Sequence, residues 1–117
     1  LKQHLIAGFN FPFKAVPKGR PRVNRKTGVV YTPKETREFE DMIAQMAAIS
    51  WGKEPIKDRL RLEIDFEEES FAVRIYRIEG KNHKADLDNL AKSVIDALQG
   101  IIFVNDSQID ELELRRK

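Results

Sequence analysis

The chain has 117 residues, 41% of them apolar, carries no cysteine and has a formal net charge of +2. That is one domain's worth of sequence with enough apolar residues for a core, so residues 1–117 are expected to form a single domain and intrinsic disorder is excluded. Without cysteine there are no disulfides, no thiolate zinc site and no cysteine nucleophile. No apolar run approaches the roughly 20 residues that span a bilayer, which points to a soluble, cytoplasmic protein with no membrane partner.

The charge is unevenly spread. Residues 1–61 hold 13 Lys and Arg against 6 Asp and Glu, whereas residues 62–117 hold 8 against 13. Such asymmetry suits a first half that meets a polyanion and a second half that holds a cation, although solvated surface patches produce the same bias without any function.

In chain order, Leu5, Ala7, Phe9, Phe11 and Phe13 recur at every second position, a strand signal that puts these five on one side. His4 is expected at a strand edge. Residues 14–26 then carry Lys14, Lys18, Arg20, Arg22, Arg25 and Lys26 and no acid. Pro17, Gly19, Pro21 and Gly28 punctuate this stretch, so an irregular loop with turns is expected, followed by a short strand at Val29, Val30 and Tyr31. Thr32 can cap a helix, Pro33 suits its first position and Glu35 can close a capping box. Phe39, Met42, Ile43, Met46, Ala47 and Ile49 follow at helical spacing, giving a helix that packs one face on a sheet and ends at residues 50–52, with Trp51 beneath that end. Leu60, Leu62, Ile64 and Phe66 alternate as another strand. Phe71, Val73 and Ile75 alternate again after a turn at residues 67–70, and the pattern leaves open whether these are two hairpin strands or one bulged strand.

Residues 80–85 read as a polar, basic connection. A second helix is predicted over residues 87–99, with Leu87, Leu90, Ala91, Val94, Ile95 and Leu98 on one stripe and Gly100 as its stop. Residues 101–104 read as a short strand, Asn105, Asp106 and Ser107 as a turn, and Leu112 and Leu114 as a last strand. The fold class is α+β, a mostly antiparallel mixed sheet with two helices packed on it. The chain opens without methionine and closes on Arg115, Arg116 and Lys117, which leaves room for flanking segments.

The residues that carry chemistry stand at the second helix. Asp86 precedes it, Asp88 lies in its first turn, and Lys92 and Asp96 continue the face of Asp88 at four-residue steps. A structural reading covers each of them: Asp86 as N-cap, Asp88 as a favourable charge at the positive helix end, Asp88 with Lys92 as a surface pair, Asp106 as a turn residue. The alternative is a metal site. A hard divalent cation takes carboxylate oxygens from separate chain segments, and Asp86 and Asp88 could meet Asp106 if the chain after Gly100 returns toward the helix start.

The run Lys84-Ala85-Asp86-Leu87-Asp88-Asn89-Leu90-Ala91-Lys92-Ser93-Val94-Ile95-Asp96-Ala97-Leu98, followed by Asn105-Asp106-Ser107-Gln108, closely resembles the RusA family of Holliday junction resolvases. Pro17-Lys18-Gly19-Arg20-Pro21-Arg22 and Tyr31-Thr32-Pro33-Lys34-Glu35-Thr36-Arg37-Glu38-Phe39-Glu40 also look like that family's opening segments, in the family's order. The resemblance implies a RusA-like fold, a homodimer, and a magnesium-dependent endodeoxyribonuclease that resolves four-way junctions by paired symmetric nicks in recombination and repair. It implies Asp86, Asp88 and Asp106 as magnesium ligands and Lys92 as a fourth catalytic residue. Many relatives carry an acid where this chain has Asn105, and relatives often continue into another strand at the C-terminus. Cleavage is expected to leave 5′-phosphate ends. Lys14, Lys18, Arg20, Arg22, Arg25, Lys26 and Lys84, with Lys81 and His83, are the expected DNA contacts, and no nucleotide cofactor is expected. The competing class is a non-catalytic, structure-specific DNA-binding module whose acids only cap a helix.

Overall fold

A computed structural model of the chain describes residues 3–80 and 86–116. The chain divides into two compact units, Leu1–Lys81 and Asn82–Lys117. The first contains β1 (Gln3–Phe11), β2 (Arg22–Val23), β3 (Val30–Tyr31), α1 (Lys34–Trp51), β4 (Leu60–Phe66) and β5 (Phe71–Ile78). β5 is the central strand of an antiparallel three-stranded sheet in the order β1-β5-β4, and β2 with β3 makes a separate two-stranded ribbon. Residues 67–70 close β4 and β5 into a hairpin, with Glu67 N–H donating to the Ser70 carbonyl at 2.9 Å, so the alternation over residues 60–78 is two strands and not one.

Cross-strand partners share a face. Phe11 opposes Phe71, Phe9 opposes Val73 and Ala7 opposes Ile75 on one side of β5, and Phe66, Ile64 and Leu62 oppose the same three residues on the other. One sheet face is therefore apolar, and its Phe71 end is where the first unit is best packed. Phe11 and Phe71 are the buried hydrophobic residues, 3% and 5% exposed, with ring centroids 4.8 Å apart. Phe13 and the α1 residue Phe39 close over them at 5.7 and 5.8 Å from Phe71. The opposite face is tied by charge: Arg74 of the central strand donates to Asp65 and Glu63 of β4. The Asp65 hydrogen bond is the largest cause of a rise in the already high pKa of this guanidinium, with Glu63 adding to it.

The alternation expected from Leu5 onward breaks once. The register steps from Leu5 opposite Tyr76 to Ala7 opposite Ile75, so Ile6 is the extra residue of a β-bulge. A bulge reverses which side each earlier residue takes, and Leu5 is 59% exposed while Ala7, Phe9 and Phe11 keep the core side. The helix start also differs from expectation. Pro33 is the N-cap of α1, with an extended ψ of 145°, and no side chain caps the helix. Thr32 thus stands outside it and no capping box forms. Along α1, Phe39, Ile43, Met46 and Ala47 lie within one turned stripe, whereas Met42 and Ile49 fall to its flank and are exposed. The C-terminal stop is as expected: Gly52 adopts a left-handed φ of 59° and its N–H donates to the Ala48 carbonyl. The Trp51 ring N–H donates to the Glu54 carbonyl at 2.9 Å just past that end. His4 is exposed on the edge strand β1.

The basic loop holds more order than its prolines and glycines suggest. Arg22 and Val23 pair with Tyr31 and Val30, and the connecting turn is an Asx turn in which Asn24 Oδ1 accepts from the N–H groups of Lys26 and Thr27. Phe71→Ala is expected to lower the unfolding free energy by about 3 to 5 kcal/mol, and Ile49→Ala by less than about 0.5 kcal/mol, as read from chemical denaturation.

Candidate active site

The second unit is built on α2 (Leu87–Leu98). Asp86 is the N-cap, and beyond the helix Gly100 takes a φ of 85°, a left-handed conformation that suits glycine. The predicted apolar stripe divides. Leu87, Ala91 and Ile95 are half-buried, while Leu90, Val94 and Leu98 are 50%, 60% and 39% exposed.

The chain after α2 does not form the two strands expected there. Ile101 and Ile102 N–H both donate to the Leu98 carbonyl and Gly100 N–H donates to the Phe103 carbonyl at 2.7 Å, so residues 98–103 fold into a tight reversal. The sole strand-like contact of this stretch among the described residues is an isolated bridge between Gln99 and Phe103. Residues 109–116 likewise form no strand and no helix. Apolar alternation over so few residues needs a neighbouring edge to become a strand, and the described residues supply none.

What the reversal does is present Asp106. The turn that carries it, Asp106–Gln108, is a short 3-10 helix held from both sides. Gln99 Oε1 accepts from the Asp106 N–H at 2.8 Å, and Gln108 Oε1 accepts from the N–H groups of Val104 and Asn105 at 2.9 Å each. Asn105 Oδ1 accepts from Ser107 N–H, completing a capping box. Every capping role in this turn falls to an amide side chain, which leaves the Asp106 carboxylate free of it.

Asp88, Lys92 and Asp96, four residues apart along α2, share a cleft of about 440 Å³ with Asp106 and Asp110. Its apolar lining includes Ala91, Ile95, Ile109, Leu112 and Leu114. All five charged residues are exposed. Among the described residues, none of their side chains takes part in a hydrogen bond or an ion pair, and Asp86 makes no side-chain cap bond either. Two of the structural roles open to these residues are therefore unfilled, since Asp86 does not cap through its carboxylate and Asp88 with Lys92 is not an ion pair, while Asp88 keeps its favourable place in the first turn of the helix and Asp106 its place in the turn. Four uncompensated carboxylates and one ammonium remain in one cleft, an oxygen-only donor set of the chemistry that a hard cation prefers. Asp86 stands at the N-cap, outside the cleft lining. Among the described residues no three Asp, Glu or His side chains already stand close enough to coordinate one ion, so a bound cation would have to draw these exposed carboxylates in.

The basic residues Lys14, Lys18, Arg20, Arg22, Arg25 and Lys26 all lie in the first unit and are exposed. Lys18 pairs with Glu40 of α1 at 3.1 Å. Lys84, with Lys81 and His83, lies outside the described residues. No helix among the described residues is long and apolar enough to cross a membrane. Three contributors to the cleft and its turn are not apparent from residue spacing in the way Asp88 and Asp106 are. Gln108 is legible in part, since Asn105-x-x-Gln108 has the spacing of a capping box, whereas Gln99 and Asp110 carry no signal of their own.

An oxygen-only acidic cleft and an acid-free basic stretch on one chain equip it to work on a polyanion. A family profile described as Endodeoxyribonuclease RusA matches residues 12–117, nearly the whole chain. The chain belongs to the RusA endodeoxyribonuclease family, whose members act on branched DNA junctions. No curated protein and no solved structure matches it. Replacing Gln108 by Ala removes the acceptor for two N–H groups of the Asp106 turn and should cost about 1 kcal/mol of stability, measured as a fall in the unfolding midpoint without loss of α2 circular dichroism.

Proposed function

We propose that this chain is a magnesium-dependent Holliday junction resolvase that nicks two strands of a four-way junction symmetrically, in the course of DNA recombination and repair. The observation that carries this reading is the convergence in one cleft of Asp88 and Lys92 from α2 with Asp106 from the anchored turn, in a chain of the RusA family.

The ligands we assign to magnesium are Asp86, Asp88 and Asp106. When bound, the ion supplies Lewis acidity, polarising a phosphate oxygen and lowering the pKa of a water molecule. The chain's own residues do the rest. The carboxylates of Asp88 and Asp106 approach from two separate segments, and the amide clasp at Gln99, Asn105 and Gln108 fixes the backbone from which the second one reaches. Lys92 places a compact positive charge in the same cleft, suited to the negative charge that builds on a phosphate under attack. Its ammonium is not consumed by Asp88, which keeps it available to the substrate. Hydrolysis by this route leaves 5′-phosphate and 3′-hydroxyl ends.

Phosphate contacts fall to Lys14, Lys18, Arg20, Arg22, Arg25 and Lys26, and Lys84 is assigned with them. Each contact releases counterions, so affinity should fall steeply with salt. A four-way junction has near two-fold symmetry, and one chain offers one acidic cleft, so a homodimer matches the substrate.

Asp88→Asn is expected to keep its affinity for a synthetic four-way junction while losing nicking by at least about a hundredfold, equivalent to roughly 2.7 kcal/mol. The check is magnesium-supported cleavage beside a gel-shift titration, and full activity of that variant would remove Asp88 from the site. The double change Arg20→Ala and Arg22→Ala should weaken junction binding and reduce its log–log salt slope by roughly two, measured between low and moderate salt.

A further inference from the structure

Thr36 is the buried polar residue among the described ones, 3% exposed, and neither the acidic cleft nor the phosphate contacts use it. Its Oγ1 accepts the backbone N–H of Gly19 at 2.9 Å across 17 residues of chain. The approach is close enough that a side chain at residue 19 would force its neighbours to shift. A Cβ placed on Gly19 would lie 2.9 Å from Pro33 Cγ, closer than real side chains come, and 3.0 Å from Thr36 Oγ1, so that the latch would have to give. Here the glycine is needed for space, not for an unusual backbone angle.

What this contact closes is a basic arm. From Gly19 the chain runs out through Arg20 and Pro21, pairs as β2 with β3, turns at residues 24–28 and returns to Pro33, which is buried against Gly19. The arm carries Arg20, Arg22, Arg25 and Lys26, and no acid occurs before Glu35. Among the described residues little apolar burial holds its outer part in place: Val23, Val29, Val30 and Tyr31 are 58%, 59%, 63% and 44% exposed. A two-stranded ribbon without a core is marginal on its own. Its direction is therefore set at its base, where Gly19 meets Thr36 and the exposed Lys18–Glu40 pair adds a second, weaker tie to α1.

We infer that Thr36 is a positioning residue for DNA binding, its hydroxyl latching the base of the basic arm onto the first turn of α1 so that the arm's cations meet the phosphates of the branched substrate in a fixed register. The inference rests on the assignment of Arg20 and Arg22 as phosphate contacts. Without the latch each arm cation must still be ordered when DNA binds, and the entropy of that ordering weakens affinity. Bond making and breaking in the acidic cleft gains nothing from the latch, so the effect belongs to KM and not to kcat.

The test uses the full chain, a synthetic four-way junction as probe, and four variants checked for native circular dichroism. Thr36→Val keeps the shape and deletes the acceptor, Thr36→Ser restores a hydroxyl, Gly19→Ala loosens the latch from the other side, and the Arg20→Ala, Arg22→Ala pair reports on the contacts themselves. Thr36→Val and Gly19→Ala should weaken junction affinity and raise KM about five- to tenfold, with kcat at saturating junction within about twofold, while Thr36→Ser stays near the parent. If Thr36→Val does not fold, Gly19→Ala beside Thr36→Ser decides the matter in the same terms. Parent-like affinity in both latch variants, with the arginine pair weakened, would overturn the latch alone. Thr36→Ser as weak as Thr36→Val would also overturn it, since packing and not the hydroxyl would then be at work. An arginine pair that binds as the parent does would overturn the phosphate assignment, and the inference with it.

Discussion

The hydrogen bond from the Asp106 N–H to Gln99 Oε1 is the contact on which the proposed chemistry depends. Carboxylates at the start of a helix are commonplace, and alone they cap it or pair with a lysine one turn on. A carboxylate from a separate segment in the same cleft changes what the helix face can do. That segment is short, lacks strand partners among the described residues and would wander if it were held by its apolar residues alone. Amide side chains hold it instead. Gln99 at the end of α2, with Asn105 and Gln108 within the turn, satisfies the N–H groups that a reversal leaves unpaired. Because amides anchor the turn, its acid is left without a structural partner.

Charge is divided along the chain in a way that fits this arrangement. The acidic residues of the cleft belong to the second unit, and the acid-free basic stretch belongs to the first. Each is unfavourable by itself, since like charges gathered on one surface repel. In the proposed reading each is relieved by a partner of opposite sign, a cation for the cleft and a polyanion for the arm. The family shown by residues 12–117 acts on branched DNA, the polyanion of that pairing.

Much of the frame was legible in the residues. Phe71, Val73 and Ile75 announced a strand because a central strand buries one side at every second position, and α1 ends within the expected residues 50–52, where Gly52 takes a left-handed φ. Leu5 misled because a bulge at Ile6 reverses the side of everything before it, and bulges leave no mark in apolar alternation. Thr32 misled because Pro33 kept an extended backbone and became the cap position itself. Leu112 and Leu114 misled because alternation describes a face and not a partner. Within the cleft, Asp88, Lys92 and Asp106 were readable from spacing and family likeness. Asp110 was not, since its place there depends on the path of the chain after the turn.

The central claim is that one cation is gripped jointly by the first turn of α2 and the turn that carries Asp106. Titration of manganese into the chain saturated with a junction kept uncut by non-hydrolysable linkages, followed by electron paramagnetic resonance, tests this directly in the parent and in Asp106→Asn. Bound manganese in the parent, with clear weakening in the variant and DNA affinity retained, is the expected result. Equal manganese binding by both proteins would contradict the joint grip and move the metal elsewhere.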